Sequence, residues 1–199
     1  MPDRPDDLRG GGEDGFSLAE LLIYIGLLVM VVTVAGGLLI NGLKVQETTQ
    51  SVTSAANTAQ QIARSVQTGV RNASAATVIS DVNAGTQLLI VRTIGSDPNS
   101  TAASCQAWYY TPLNGGAVYT KRTTPAVLIT LPSGGPQGAW SLLGKGVSPA
   151  DPVTAKVFNA PSGSRVDLKF SVAAGSHPYV LVNTTTYTPQ TTTVSSPCF

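Results

Sequence analysis

The most restrictive feature of this chain is an uncharged, almost wholly apolar run that occupies residues 21–40. A helix rises about 1.5 Å per residue, so these twenty residues would extend about 30 Å, the thickness of a bilayer's hydrocarbon layer. A secretory signal peptide would have a basic start and a shorter apolar core, whereas this start is acidic. The run therefore predicts a transmembrane helix, although Val34-Ala35-Gly36 leaves a signal-peptide cleavage site as an alternative.

The rest of the chain is rich in Thr, Ser, Gly, Asn and Ala and carries few charges. Charged side chains make up 12% of the sequence, about half the share that is usual in soluble domains. This scarcity favours an extracellular or fibre-forming protein over a cytosolic one. The net charge is +1, and Lys121-Arg122 is the only adjacent basic pair, so the composition indicates no general affinity for nucleic acid.

Glu20 is the exceptional residue near the front of the apolar run. An ionised carboxylate in hydrocarbon is costly, so an acid at such a position indicates a function. The alternative is a glutamate that lies in the lipid headgroup zone without a specific role. Residues 1–15, which precede the run, are polar and glycine-rich and have no periodic apolar face, so they predict no fixed structure.

The segment Gly15-Phe16-Ser17-Leu18-Ala19-Glu20-Leu21-Leu22 resembles the processing motif of type IV prepilins. That motif is Gly, usually Phe, Ser or Thr, Leu, a small or aliphatic residue and Glu, followed by a long apolar helix. The resemblance implies that a membrane peptidase cuts after Gly15 and that Phe16 becomes the N-methylated first residue. It also implies that Glu20, the fifth mature residue, pairs with the α-amine of a neighbouring subunit during assembly.

The leader differs from the family pattern at the two positions before the cleavage site. The family usually has Lys or Arg there, whereas this chain has Glu13 and Asp14. Retention of the N-terminus in the cytoplasm, which follows an excess of Lys and Arg on that side, would depend on Arg4, Arg9 and the free amine.

The apolar pattern continues beyond the run but becomes periodic. Apolar residues recur every seven positions, interleaved with Gln, Thr, Ser and Asn, and predict one apolar face of a continuous helix over residues 16–72; they are Val45, Val52, Ala59, Val66 and Ala73. Gly36-Gly37 and Asn41-Gly42 predict either local bending or unwinding of the helix, or close helix packing through small residues. The expected organisation is a leader (1–15), a transmembrane or fibre-core half-helix (16–41), an amphipathic half-helix (42–74) and a β-rich head (75–199).

The head shows short apolar runs separated by turn residues, which predict strands. Two of the predicted turns are at Asn83-Ala84-Gly85 and Asn114-Gly115-Gly116, and the apolar residues of segment 165–172 alternate, which indicates one buried face. The candidate strands are residues 77–79, 87–92, 106–110, 117–120, 126–131, 155–158, 165–172 and 179–185. Residues 131–152 predict a surface loop anchored near Trp140, and the threonine-rich tail, residues 184–193, predicts extended chain without a core. His177 is expected in a turn. The fold class is therefore α+β, with the long helix packed on an antiparallel sheet, which is also the architecture that the prepilin resemblance implies.

The two cysteines, Cys105 and Cys198, form no CxxC motif and have no histidine at metal-ligand spacing. In an exported chain such a pair invites a disulfide. That bond would tether the tail to the central sheet, and two free thiols are the alternative.

The sequence contains no catalytic constellation, phosphate-binding loop or zinc pattern, so it predicts neither an enzyme nor a cofactor. The acids of the head are scattered, with no evident pairing; they are Asp81, Asp97, Asp151 and Asp167. Trp108, Tyr109 and Tyr110 offer a stacking surface for DNA as one interpretation, with core packing expected for at least two of them.

The resemblance implies a minor pilin or pseudopilin of a type IV pilus or a type II secretion-like pseudopilus. The tract Gln61-Ile62-Ala63-Arg64-Ser65-Val66 and residues 142–158 and 165–172 resemble W-type and J-type subunits. The implied partners are a prepilin peptidase and methylase, other pilin or pseudopilin subunits and an inner-membrane assembly platform. The chain would sit in the cytoplasmic membrane, N-terminus inside and head outside, before it joins a cell-surface or periplasmic fibre.

Two other functions remain open at this level. One is an adhesin or DNA-binding minor pilin whose head carries the activity. The other is an unprocessed single-pass membrane protein with an extracytoplasmic β domain, which would keep its original N-terminus.

Overall fold

The computed structural model describes residues 17–94, 103–189 and 197–199. Within them lie one long helix and nine strands, and the helix packs against antiparallel sheets, so the fold class is α+β as expected. The elements are α1 (Leu18–Arg71), β1 (Ala73–Asp81), β2 (Thr86–Ile94), β3 (Ala103–Thr111), β4 (Ala117–Thr123), β5 (Ser141–Lys145), β6 (Val147–Pro149), β7 (Phe158–Ser162), β8 (Arg165–Ala174) and β9 (His177–Tyr187). The described residues divide into two compact units, with the boundary between Glu47 and Thr48.

Helix α1 has the bounds that the apolar periodicity predicts to within two residues. It opens where the carbonyl of Ser17 accepts the amides of Glu20 and Leu21, at 2.9 and 3.1 Å. Glu20 in the first turn and Arg71 in the last both have the charge that complements the helix dipole. The helix is unbroken through residues 36–42, so the glycines there do not unwind it.

The first sheet has five strands in the order β1-β2-β3-β4-β5, with every neighbouring pair antiparallel. The turn between β1 and β2 is held by Asp81, whose carboxylate accepts the amides of Asn83 and Ala84, at 3.0 and 3.2 Å. The hairpin between β3 and β4 turns at Asn114-Gly115-Gly116, where all three residues have positive φ. Both turns lie where the sequence predicts them.

The second sheet has four strands around a central β8. Strand β9 pairs with β8 along its length, and β6 and β7 pair with successive parts of β8. Since β9 occupies one edge of β8, the other two strands share the opposite edge. All pairs are antiparallel. The sequence predicts a single antiparallel sheet, whereas the head contains two.

The core lies between α1 and the inner faces of both sheets. The helix contributes a buried stripe at three- and four-residue spacing, formed by Ala55, Ala59, Ile62, Val66 and Val70. The first sheet contributes Leu89 and Trp108, and the second contributes Phe158, Leu168 and Phe170. Complete burial of a large apolar side chain stabilises a fold by about 1.5–3 kcal/mol. The stripe holds both sheets to one helix.

The predicted loop at residues 131–152 is wrong, because β5 and β6 lie inside it. Gly144 of β5 passes so close to α1 that a Cβ there would overlap Thr58 and approach Ile62. The glycine that suggests a loop is therefore required by close packing. Strands β5 and β6 are joined at Gly146, whose amide donates to the carbonyl of Gly116 at 2.8 Å. This junction connects the two sheets.

Other predicted bounds in the head also need correction. Residues 126–131 form no strand and make isolated backbone contacts, from Ala126 to Ala103 and from Ile129 to Cys198. Strand β7 begins at Phe158, so the candidate strand 155–158 is displaced. His177 begins β9 instead of a turn, and β9 continues to Tyr187 through part of the threonine-rich tail. Hydrogen bonding to β8 accounts for the observed bounds of β7 and β9.

We expect Gly69→Ala to destabilise the head. Alanine in a helix is ordinarily more favourable than glycine by about 1 kcal/mol, but a Cβ at Gly69 would overlap the indole ring of Trp108. Overpacking costs about 1–3 kcal/mol, so the free energy of unfolding should fall instead of rising. Denaturant unfolding followed by tryptophan fluorescence measures this.

Gly163→Ala is the matched control for Gly69→Ala. A Cβ at Gly163 would meet only the carbonyl oxygen of Ala76, at an ordinary 3.7 Å. Its effect should stay within about 0.5 kcal/mol. A stabilised Gly69→Ala protein would contradict the close approach of α1 to Trp108.

Candidate functional site

The predicted processing residues, Gly15 and Phe16, lie outside the described residues. The predicted assembly residue, Glu20, lies in the first turn of α1 and is exposed. The hydroxyl of Tyr24, one turn later, donates to its carboxylate at 3.3 Å. Residues four apart on a helix are neighbours, so the spacing of Glu20 and Tyr24 in the sequence is sufficient to predict this contact. The signal is weak because Tyr24 also fits the composition of the apolar run.

The surface around Glu20 is apolar on all sides of the helix. Every large apolar side chain of α1 up to Val45 is exposed, each by half or more of its surface. By length and composition this helix could cross a membrane. A helix that is apolar all round requires lipid or other helices to cover it. The helix is therefore compatible with the predicted membrane span, and Glu20 is the acid within this apolar segment.

The amphipathic stripe is covered only in its later part. Val45 is exposed and Val52 is 37% exposed, whereas the stripe from Ala55 onward is buried by the sheets. Gln67 adds a polar contact, because its side-chain amide donates to Thr184 of β9 at 2.9 Å. The second half of α1 thus serves as the support of the head.

Cys105 and Cys198 form a disulfide, with 5.5 Å between their Cα atoms. Both are fully buried, within a second apolar cluster on the face of the first sheet that is opposite to Trp108. The amide of Ile129 donates to the carbonyl of Cys198 at 3.1 Å. The predicted disulfide is therefore confirmed, and it fixes Cys198 to the first sheet.

The aromatic tract of β3 is buried and offers no stacking surface. Trp108 packs against α1, where its indole nitrogen donates to Ser65 at 2.9 Å. Tyr109 points to the opposite face and contacts Trp140, with ring centroids 5.8 Å apart. Tyr110 is 2% exposed, and burial raises the pKa of its hydroxyl. Core packing therefore accounts for all three residues, in agreement with the expectation that at least two would be buried.

A polar cluster that the sequence does not predict lies on the outer face of β8. Arg165 donates through Nε to Asp167 at 2.9 Å, and the hydroxyl of Thr185 donates to the same carboxylate oxygen at 2.7 Å. Arg165 and Asp167 are two residues apart on a strand and so share a face, which was the available signal. Burial raises the pKa of Asp167, but the hydrogen bonds from Thr185 and Arg165 outweigh burial and lower it.

Asp167 also lines a hollow of about 160 Å³ beside the loop between β6 and β7. Asp151 forms the other acidic wall, and Lys156 and Lys169 balance the charge. The amide of Val153 and the hydroxyl of Thr154 donate to Asp151, and these bonds lower its pKa. Both carboxylates are thus already satisfied by the protein. The hollow provides no pair of carboxyls with contrasting protonation, which acid–base catalysis would use.

Among the residues that the structure describes, no group of three His, Cys, Asp or Glu side chains could hold a metal ion. Compared with known proteins, the chain matches no family model, no curated protein and no solved structure. Its role must therefore be inferred from its own residues. The features that combine unusual chemistry with exposure are Glu20 and the apolar helix surface around it.

We expect loss of the disulfide to destabilise the head strongly. The bond closes a loop between residues 93 apart, for which the chain-entropy model gives about 4–5 kcal/mol as an upper value. The double substitution Cys105→Ala/Cys198→Ala should lower the free energy of unfolding, as measured by urea denaturation. Cys105→Ala alone should match the double variant, because either change removes the bond. A reduced wild type that unfolds at the same urea concentration as the oxidised protein would contradict this.

We expect Asp167 to contribute part of the acid sensitivity of the head. Its pKa in the folded protein lies below the usual value, so its contribution is complete above the unfolded pKa, about 3.9. The contribution is lost as the pH falls through the folded pKa. Asp167→Asn should flatten this acid limb in a pH series of urea unfolding.

Thr185→Val provides the matched variant for this titration. It removes a hydroxyl that donates to the carboxylate, so the pKa of Asp167 should move up toward its usual value. The acid limb should then be smaller than in the wild type and should end at a higher pH, because the folded pKa sets its lower end and the unfolded pKa, which sets its upper end, is unchanged. Identical pH profiles for the wild type and Asp167→Asn would show that Asp167 does not contribute.

Proposed function

We propose that this chain is a type IV prepilin-like subunit, a minor pilin or pseudopilin of the W or J type that assembles through its N-terminal helix. Cleavage after Gly15 and methylation at Phe16 would convert it to the mature form. The observation that carries the proposal is an exposed glutamate, Glu20, in the first turn of a helix whose first half is otherwise almost wholly apolar and exposed. The prepilin-like residues surround that glutamate, and the helix continues into an α+β head.

The cost of Glu20 gives a physical reason for assembly. A carboxylate within the membrane is expensive unless it has a partner. The hydroxyl of Tyr24 is a neutral donor, so it satisfies one lone pair without balancing the charge. The α-amine of a cleaved neighbouring subunit would balance it, and two ions that are each costly alone partly compensate each other. Among the described residues no cation pairs with Glu20, and cleavage would create such a partner on a neighbouring subunit.

The head suits an extracytoplasmic position. Disulfides persist in oxidising compartments, and this head has one in its buried cluster. The burial of Trp108, Tyr109 and Tyr110 removes the feature that would have favoured a DNA-binding head. We therefore assign the main role to fibre structure. The proposed partners are the prepilin peptidase and methylase, other pilin or pseudopilin subunits, the inner-membrane assembly platform and, before assembly, the membrane itself.

The test begins with the intact mass and N-terminal sequence of the chain in membranes of cells with and without the prepilin peptidase. We expect a chain that starts at Phe16 and is one methyl group heavier, found only when the peptidase is present. A chain that keeps Met1 in both strains would overturn the proposal and favour an unprocessed single-pass membrane protein.

The same experiment is then repeated with Glu20→Ala. Cleavage should be unchanged, but the amount of chain in the sheared fibre fraction should fall, because the charge partner for the neighbouring amine is gone. Glu47→Ala is the matched control, since Glu47 is the other acid of α1, is exposed and lies beyond the apolar run. Normal incorporation of the Glu20→Ala chain would contradict the assembly role.

A further inference from the structure

Strand β9 leaves one edge of the second sheet open. Within the described residues it pairs with β8 alone, from Arg165 opposite Tyr187 to Ala174 opposite His177. Its other edge therefore presents backbone amides and carbonyls to which no described strand bonds. Such an edge is a template for pairing with a strand of another chain.

The devices that normally protect an edge strand are missing from most of β9. From Tyr179 to Tyr187 the strand has no charged residue and no proline. Its pairing with β8 is regular, without a register shift, from Tyr187 to Val180. Proteins usually block edges with charges, proline, bulges or short strands. Here three large side chains on one face stay well exposed: Tyr179 at 69%, Leu181 at 60% and Tyr187 at 62%.

We propose that this edge binds the same edge of a second copy of the chain, antiparallel, about a two-fold axis at Asn183. In this register Tyr179 of each copy lies opposite Tyr187 of the other, and Leu181 lies opposite Thr185. Two four-stranded sheets would thereby become one continuous sheet through a pair of β9 strands.

The positions of the two tyrosines favour this occupant and this register. Each lies four residues from Asn183, so a symmetric pair of strands places both tyrosines of one copy against those of the other. Opposite aromatic pairs stabilise antiparallel strands. A slip of one residue would set outward-facing side chains opposite inward-facing ones, which the alternation of faces disfavours.

The inner face of β9 and the absence of charge along the strand are both compatible with binding a second copy of the chain. Val180 and Val182 are only partly buried at the rim of the core, and this register would cover them with Thr186 and Thr184 of the other copy. Because residues 179–187 are uncharged, two copies oppose no like charges along the strand. A partner of different chemistry would be expected to find complementary charge, and the strand offers none.

Cysteine cross-linking of the full-length chain in detergent tests this register. Directly opposite residues have Cα atoms about 4.5–5.5 Å apart, within the range of a disulfide. Asn183→Cys should therefore form a covalent dimer on mild oxidation. The native cysteines are bonded to each other and no free cysteine remains, so the new bond would report only the introduced position.

The register gives a strict control. Leu181→Cys alone should stay monomeric on oxidation, because the two copies of residue 181 would lie about 13 Å apart at about 3.3 Å per residue. A mixture of Leu181→Cys and Thr185→Cys chains should cross-link. Cross-linking of Leu181→Cys alone as efficiently as the mixture would overturn the register, and a monomeric Asn183→Cys would overturn the pairing.

Charge substitutions at the axis separate a second copy from any other occupant. Asn183→Lys and Asn183→Asp each place like charges opposite each other, so each should lose its dimer in sedimentation, with unchanged circular dichroism. A mixture of the two should regain the dimer, because opposite charges then meet. Dimers that persist in both single variants would show that copies associate elsewhere, and failure of the mixture to recover would also overturn the proposal.

Discussion

The packing of Trp108 on the second half of α1 is the contact on which the head depends. The indole occupies the space beside Gly69 and donates to Ser65, and both helix positions have side chains small enough to admit it. Gly144 allows the edge of the same sheet to approach Ile62 in the same way. Interiors are packed like organic crystals, so these small residues determine how closely the helix and sheet approach. The second sheet then closes over the same stripe of α1.

The first and second halves of α1 therefore have different environments. In the unit Thr48–Phe199 the apolar stripe from Ala55 onward is covered by the sheets of the head. In the unit Met1–Glu47 the apolar side chains of the helix have no cover among the described residues. Exposed apolar surface of this extent indicates contact with lipid or other chains. The head supplies stability, and the remaining helix surface requires an external partner.

The sequence predicts the features that depend on local pattern. The bounds of α1, the turns at Gly85 and at Asn114-Gly115-Gly116, and the alternation in β8 all follow from neighbouring residues. Strands β5 and β6 could not be predicted in this way, because Gly144 and Pro149 are tolerated through contacts with distant elements. The same holds for the polar cluster, since Thr185 reaches Asp167 only through the pairing of β9 with β8. At the candidate site, Glu20 was evident, whereas the donor Tyr24 was hidden within the apolar run.

Glu20 and Tyr24 together explain how one residue could serve both membrane and fibre under the proposed function. A glutamate without a donor would raise the cost of the membrane-bound state, whereas a permanent ion pair within the chain would remove the reason to associate. A neutral hydroxyl at 3.3 Å lies between these extremes. It satisfies part of the hydrogen-bonding capacity of the carboxylate and leaves the charge unbalanced. The remaining electrostatic cost would favour a subunit that supplies a cation, and a newly cleaved α-amine is such a cation.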